Sequence, residues 1–212
     1  MSELYKQMRQ AVIDYDEDLA VALAQKALDQ GMVPLDAIEN GFAAGMAEVG
    51  KKFDELEIFL PEVMAAADTM TRAVDVLKKG IKQGEETSIG TVVIGTIKGD
   101  VHDIGKNIVK TMLVASGFMV YDLGKDVSPN ALVEKAEEVH ADIIAMSALC
   151  TSTMLHMPDV MRILTEDGIR DKYKVITGGA PVLPEWAKKI GADGYGESAS
   201  AAVALCRSIM GR

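Results

Sequence analysis

The chain has 212 residues, with 22 Lys+Arg against 32 Asp+Glu and a formal net charge of −10. That length provides for one or two domains, and 49% hydrophobic with 25% charged residues excludes wholesale disorder. The acidic balance and the 5% aromatic content exclude a general nucleic-acid binder, which needs Lys and Arg for phosphates and rings for bases.

No apolar run approaches the roughly 18–20 residues that cross a bilayer. The start, Met1 to Lys6, lacks the basic-then-apolar layout of a signal peptide. A cytoplasmic protein without a membrane partner is expected. Cys150 and Cys206 form no C-x-x-C pair and read as small buried hydrophobes of a reducing compartment.

The N-terminal part, residues 1–88, reads as helical, since Ala, Leu, Met, Glu and Lys dominate and no β-branched run occurs. Ser2 to Tyr15 gives a first short helix. A second is capped by Asp16 or Asp18, stops at Gly31 and presents Leu19, Ala22, Leu23 and Ala27. Pro34 suits the first turn of a third, which buries Leu35, Ile38, Phe42, Met46 and Val49. Pro61 opens a fourth, with Val63, Ala67, Met70, Val74, Leu77 and Ile81 along one seam. The expectation is a small four-helix bundle. The polar stretch from Gly80 to Gly90 carries three glycines and suits a hinge.

Residues 89–212 alternate between strand and helix. Strands are expected at 91–97, 118–122, 142–146, 174–177 and 193–195. The helices between and after them are expected at 105–116, 129–140, 153–165, 184–190 and 198–210. Five such units imply a parallel sheet with helices on both faces.

Ligands of open α/β sheets bind beyond the carboxyl ends of the strands, where strand order reverses. Three loops there carry chemistry. The first, Lys98 to Asn107, holds His102 between Asp100 and Asp103. A carboxylate two residues away can accept one ring N–H, fix the tautomer and leave the other nitrogen for a metal or a proton. Equally, Asp100 or Asp103 can be a plain helix cap with His102 incidental. His140 and His156 share no ligand spacing, which disfavours zinc, an ion that needs three or four ligands. The second loop offers Ser147, Thr151, Ser152 and Thr153, as ligand contacts or as caps. The third, Gly178-Gly179-Ala180-Pro181, allows close approach of a ligand or simply makes a turn.

Together, Asp100-Val101-His102-Asp103-Ile104-Gly105, Ser147-Ala148-Leu149 and Gly178-Gly179 resemble the D-x-H-x-x-G, S-x-L and G-G signature of cobalamin-binding domains. The stretch Val93 to Asn107 resembles the cobalamin module of methionine synthase. Phe59-Leu60-Pro61 is similar to the helical cap of that family. Length and layout resemble the corrinoid proteins of methylotrophic methyltransferase systems, and the run from Gly178 to Ala199 is most similar to the methylamine/betaine branch.

The resemblance implies a flavodoxin/Rossmann-like sheet domain and cobalamin as cofactor, with methylcobalamin in the cycle. It implies His102 as lower axial ligand of cobalt, Asp100 behind it, and Thr153 completing a relay where methionine synthase has Ser. Gly99, Val101, Asp103, Ile104 and Gly105 belong to the same cofactor loop. Ser147, Leu149, Thr151, Gly178, Gly179 and Ala180 would line the slot for the displaced nucleotide tail. Phe59, Leu60 and Val63 are candidates for an apolar lid over the methyl-bearing face, although Leu60 and Val63 equally fit the bundle interior. The implied function is methyl transfer on cobalt between a substrate-specific methyltransferase, using a methylamine, betaine or similar donor, and a second one acting on a thiol or a tetrahydrofolate-type acceptor. A reductive activator would be a further partner. The chain would not be an enzyme on its own. Competing readings are a cobalamin-dependent regulator, for which no DNA-binding segment is present; the cobalamin subunit of a mutase; and a phospho-acceptor receiver, which wants an Asp where Met146-Ser147 stand.

Overall fold

The protein is described here from a computed structural model, over residues 3–80 and 88–211. Ser2, the seam position Ile81 and most of the expected hinge lie outside the described residues. The chain divides into two compact units. One comprises the residues up to Ile89 together with Thr111–Phe118, the other Gly90–Lys110 and the residues from Met119 onward.

In the first unit, α1 (Glu3–Ile13), α2 (Glu17–Asp29), a broken third helix and α5 (Leu60–Lys78) form the bundle. Asp16 caps α2 by accepting the Leu19 N–H. The buried face of α2 is Ala20, Leu23, Ala24 and Ala27, whereas Leu19 and Ala22 are exposed, contrary to the sequence reading. Small alanines let α2 lie close to its neighbours, so its inner face is less hydrophobic than its edge.

The third helix runs as α3 (Pro34–Ala37), a π turn (Ile38–Phe42) and α4 (Ala43–Asp54). The wide turn absorbs the four-residue steps from Ile38 to Phe42 to Met46, and all three side chains stay buried. Leu35, expected in that row, is only half-buried. Gly41 and Gly45 let α1 come close: a Cβ on Gly45 would meet the Arg9 carbonyl oxygen at 2.6 Å and the Val12 Cβ at 2.8 Å. In α5, Val63, Ala67, Met70, Val74 and Leu77 are buried as expected.

The second unit is a five-stranded parallel sheet, ordered β2-β1-β3-β4-β5. The strands are β1 (Thr91–Thr96), β2 (Met119–Asp122), β3 (Ile143–Ser147), β4 (Lys174–Gly178) and β5 (Gly194–Gly196). The helices are α6 (Ile104–Ala115), which belongs to this unit only as far as Lys110, α7 (Pro129–Glu138), α8 (Met157–Glu166), α9 (Pro184–Ile190) and α10 (Ala199–Ile209). Central β1 and β3 are almost wholly buried, as their continuous apolar runs require. One core joins Val93, Ile144, Met146 and Val175 of the sheet to Leu132 and Val133 of α7 and Val160 and Leu164 of α8. The helix expected from Thr153 starts later: a 3₁₀ turn spans Met154–His156, and α8 begins at Met157 because Pro158, lacking an N–H, belongs in a first turn. Strand order reverses between β1 and β3, so the loops after these strands flank the expected ligand crevice.

Candidate functional site

The loop after β1 is held open by its own backbone. Gly99 has φ +81, and its N–H donates to Asp126 Oδ1 at 2.7 Å. The Thr96 hydroxyl donates to the His102 carbonyl at 3.0 Å. These ties project residues 100–104 beyond the sheet.

Asp100 sits at the centre and is 1% exposed. Its Oδ1 accepts the His102 backbone N–H at 3.0 Å and pairs with His102 Nδ1 at 2.8 Å. Its Oδ2 accepts from Leu149 N at 2.7 Å, Cys150 N at 3.1 Å and the Thr153 hydroxyl at 2.6 Å. Burial alone would raise its pKa. The Thr153, Leu149 and His102 donors outweigh that and hold the carboxyl well below the usual carboxylate range. Asp100 is therefore an acceptor only, so the shared proton belongs to Nδ1, and in the neutral ring the lone pair of His102 is on Nε2. The His102 side chain is half-exposed. The site is thus an imidazole of fixed tautomer, held from behind by a buried anion and open in front.

The sequence-predicted residues fall into three groups. Asp100, His102 and Thr153 meet directly. The Thr153 methyl faces Gly99, 3.5 Å from where a Cβ there would stand, and its hydroxyl donates to Asp100. Val101, Ile104 and Leu149 stand exposed around the same loops and offer an apolar seat; Thr151 and Ala180 are exposed, Asp103 and Ser147 half-buried, and Gly105 has open space beside it. Gly178 and Gly179 serve the frame: Gly179 has φ +114, and a Cβ there would lie 1.8 Å from the Ala148 oxygen. Gly179 brings the β3 and β4 loops together, which only glycine permits, whereas a Cβ on Gly178 would face the Gly196 oxygen of β5 at 3.2 Å. Phe59, Leu60 and Val63 belong to the helical unit. Phe59 and Leu60, at the start of α5, are exposed, whereas Val63 is fully buried in the bundle and presents no surface for a lid.

Sequence reasoning missed Asp126, Thr96 and a cluster centred on Lys106. Lys106 Nζ, with its side chain 1% exposed, donates to Asp122 Oδ1 at 2.6 Å and Asn107 Oδ1 at 2.7 Å, and Lys110 reaches Asp122 Oδ2 at 3.2 Å. The one available signal was a Lys in the buried phase of an amphipathic helix.

Residues 90–204 and, separately, 4–78 match family models described as B12 binding domains. The chain belongs to the B12-binding corrinoid protein family. It is 49% identical over 210 residues to trimethylamine corrinoid protein 1 of Methanosarcina acetivorans, covering 98% of this chain and 97% of that one. It is 48% identical over 209 residues to dimethylamine corrinoid protein 1 of Methanosarcina mazei, covering 98% and 96%. Among solved structures it is similar to the methanol:cobalamin methyltransferase complex of Methanosarcina barkeri, with TM-score 0.78 and 34% identity over 99% of this chain and 80% of that one.

Its cofactor is cobalamin, and the donor set fits that group: an exposed imidazole with a free Nε2, apolar neighbours, and the buried Thr177 hydroxyl, unpartnered, one residue before Gly178. No helix among the described residues is long and apolar enough to cross a membrane.

Proposed function

We propose that the chain is a methyl carrier that holds cobalamin through His102 with the cofactor's own base displaced, and that works in the cytoplasm between two methyltransferases. The observation that carries this is the buried Asp100 carboxylate aiming an imidazole of one tautomer at solvent. Bound cobalamin supplies a cobalt centre that accepts and donates a methyl group. The protein's part would be to offer Nε2 to the metal, to hold the Nδ1 proton against Asp100, and to tie Asp100 to the β3 loop through Thr153. Ser147, Thr151, Ala180 and the glycine backbone are assigned to the slot for the nucleotide tail. Phe59 and Leu60 are assigned to the lid, with residues 1–88 forming the cap domain and 89–212 the cofactor domain.

The donor class follows from the relatives, which are trimethylamine and dimethylamine corrinoid proteins. A methylamine:corrinoid methyltransferase loads the carrier. A second methyltransferase, acting on a thiol or pterin, unloads it, and a reductive activator restores it. The three loops beyond the sheet are assigned to the corrinoid, so the amine has to be oriented by the partner, and positioning supplies much of the rate of such a transfer. The test is to reduce the loaded full-length protein, add mono-, di- or trimethylamine, and follow the visible spectrum with and without a methylamine methyltransferase. Rapid change is expected only with the second protein. Methylation at that rate by the chain alone defeats the carrier reading.

A further inference from the structure

We propose that the corrinoid-free protein carries a binding site for a thiophilic divalent cation of the zinc class, formed by Cys150 Sγ, His102 Nδ1 and Asp100 Oδ1. Among the described residues, Asp100, His102 and Cys150 are the one group of three metal-ligating side chains whose ligand atoms all lie within 4.8 Å of one another. The sequence argued against zinc because the three histidines share no spacing. The fold instead joins His102 to a cysteine from the loop after another strand.

The donor set is a thiolate, an imidazole and a carboxylate. A soft sulfur beside a nitrogen selects zinc over magnesium or calcium. Zinc–ligand bonds of about 2.0–2.3 Å place tetrahedral donors roughly 3.3–3.6 Å apart. The 2.8 Å between Nδ1 and Oδ1 has to open slightly, and the three ligand atoms, all within 4.8 Å of one another, have to draw together to that spacing. The fourth position faces water, because His102 is half-exposed and Cys150 only partly buried.

The backbone is already set for this. Cys150 N–H and Leu149 N–H donate to Asp100 Oδ2, so the carboxylate can turn its Oδ1 to a cation without losing its hold on the β3 loop. The cation takes the place of the Nδ1 proton while the ring takes up a proton from water at Nε2, so the imidazole stays neutral and the net release is the one proton of the thiol. Cation binding and the Nδ1–H···Oδ1 pair are therefore mutually exclusive. A bound cation removes the hydrogen bond by which Asp100 presents His102, so a metal-loaded chain is a resting form that must lose its ion before His102 is set for cobalt. This consequence rests on the corrinoid reading; the site itself does not.

The experiment uses the full-length, metal-free and corrinoid-free protein, with zinc chloride as the probe. Competition with a chromophoric chelator is expected to show one equivalent bound, and zinc is expected to slow alkylation of Cys150 at pH 8 at least tenfold. Cys206 does not confuse that reading, because it is fully buried and its thiol is pushed up to about 12. Cys150→Ser and His102→Gln should each lose the stoichiometric equivalent, and Cys206→Ser should keep it. Cys150→Ser is nearly isosteric and should still take up cobalamin, so failure of this site and failure of the corrinoid reading are distinguishable. If His102→Gln does not fold, protection of Cys150 in the unaltered protein decides. Absence of a stoichiometric equivalent, unchanged alkylation, or one equivalent surviving in Cys150→Ser overturns the proposal.

Discussion

Asp100 and Asp122 are both aspartates at the carboxyl ends of neighbouring parallel strands, and both are held below their ordinary pKa against the cost of burial. The means differ. Asp122 is neutralised by two ammonium groups, Lys106 and Lys110, with the Gly124 N–H added. Asp100 has neutral donors around it: backbone N–H groups, the Thr153 hydroxyl and the His102 ring. An ammonium uses up a carboxylate's charge. Hydrogen bonds from neutral groups stabilise the charge and leave its field in place, directed at the one polarisable partner, the imidazole. The first arrangement fastens α6 to β2. The second keeps an anion available for work.

The largest expected effect is at the neutralised cluster. Lys106→Met strips a buried cation from Asp122 and should cost about 3–5 kcal/mol, as breaking a buried pair from one side does. The chemical-denaturation midpoint measures it. Asp122 has a depressed folded pKa, so its contribution is present above the unfolded value near ~4 and is lost as pH falls through the folded one. Removing Lys106 raises that folded value, so the acid-unfolding midpoint should move up. Pairing the change with Asp122→Asn should recover at least ~1 kcal/mol relative to additivity.

Next is Asp100→Asn, which turns an amide N–H₂ toward some of the N–H groups of Leu149, Cys150 and His102. One buried donor facing another predicts a loss of about 2–3 kcal/mol. Cobalamin uptake measured at equal folded fraction should fall as well, because the ring orientation is no longer set. If Asn matched Asp in both readings, the charge of Asp100 would have no role and the contrast with Asp122 would collapse.

Thr153→Val sharpens the comparison at lower cost. It keeps the methyl packing near Gly99 and removes one hydroxyl donor, so about 1 kcal/mol is expected. Asp100 should titrate higher, and the acid limb of the stability profile should shift upward. Thr153→Ser should restore both, since the hydroxyl rather than the methyl reaches the carboxylate.

The sequence made most of the frame readable, for identifiable reasons. Val92 to Ile94 and Ile143 to Met146 are short continuous apolar runs that open on β-branched residues, as strands buried on both faces do. Pro129 and Pro184 stand in first turns, and α9 has the expected bounds. The π turn in the third helix was not readable, because spacings of four residues fit an α-helix equally well. Gly178-Gly179 left ligand approach and a plain turn both open, and the close contact of Gly179 with the Ala148 oxygen was not readable, since a glycine's empty Cβ volume looks the same whether a cofactor or a carbonyl fills it. The pairing of Asp100 with His102 was anticipated from spacing. The Leu149 and Cys150 donors were not, because backbone N–H groups leave no mark in a sequence. Lys106 escaped for a similar reason: its partner, Asp122, lies on another element.

The smallest stability effect should accompany the largest spectroscopic one. The His102 side chain is half-exposed, and its ring makes a single hydrogen bond, to an Asp100 already satisfied by other donors. His102→Ala keeps the backbone N–H that donates to Oδ1, and water can take the place of the ring on that oxygen. Folding should change by less than about 1 kcal/mol. The caged anion persists with nothing to present. Cobalamin held by contacts to its periphery should still bind, but without nitrogen from the protein on cobalt. Electron paramagnetic resonance of the cobalt(II) protein, prepared with a corrinoid lacking its own lower base, should show splitting from one axial nitrogen in the unaltered chain and none in the variant. An unchanged nitrogen splitting would remove His102 from the metal. A large loss of stability would mean that the ring, rather than the backbone and Thr153, holds the loop, and Asp100 would then be a structural anion of the same kind as Asp122.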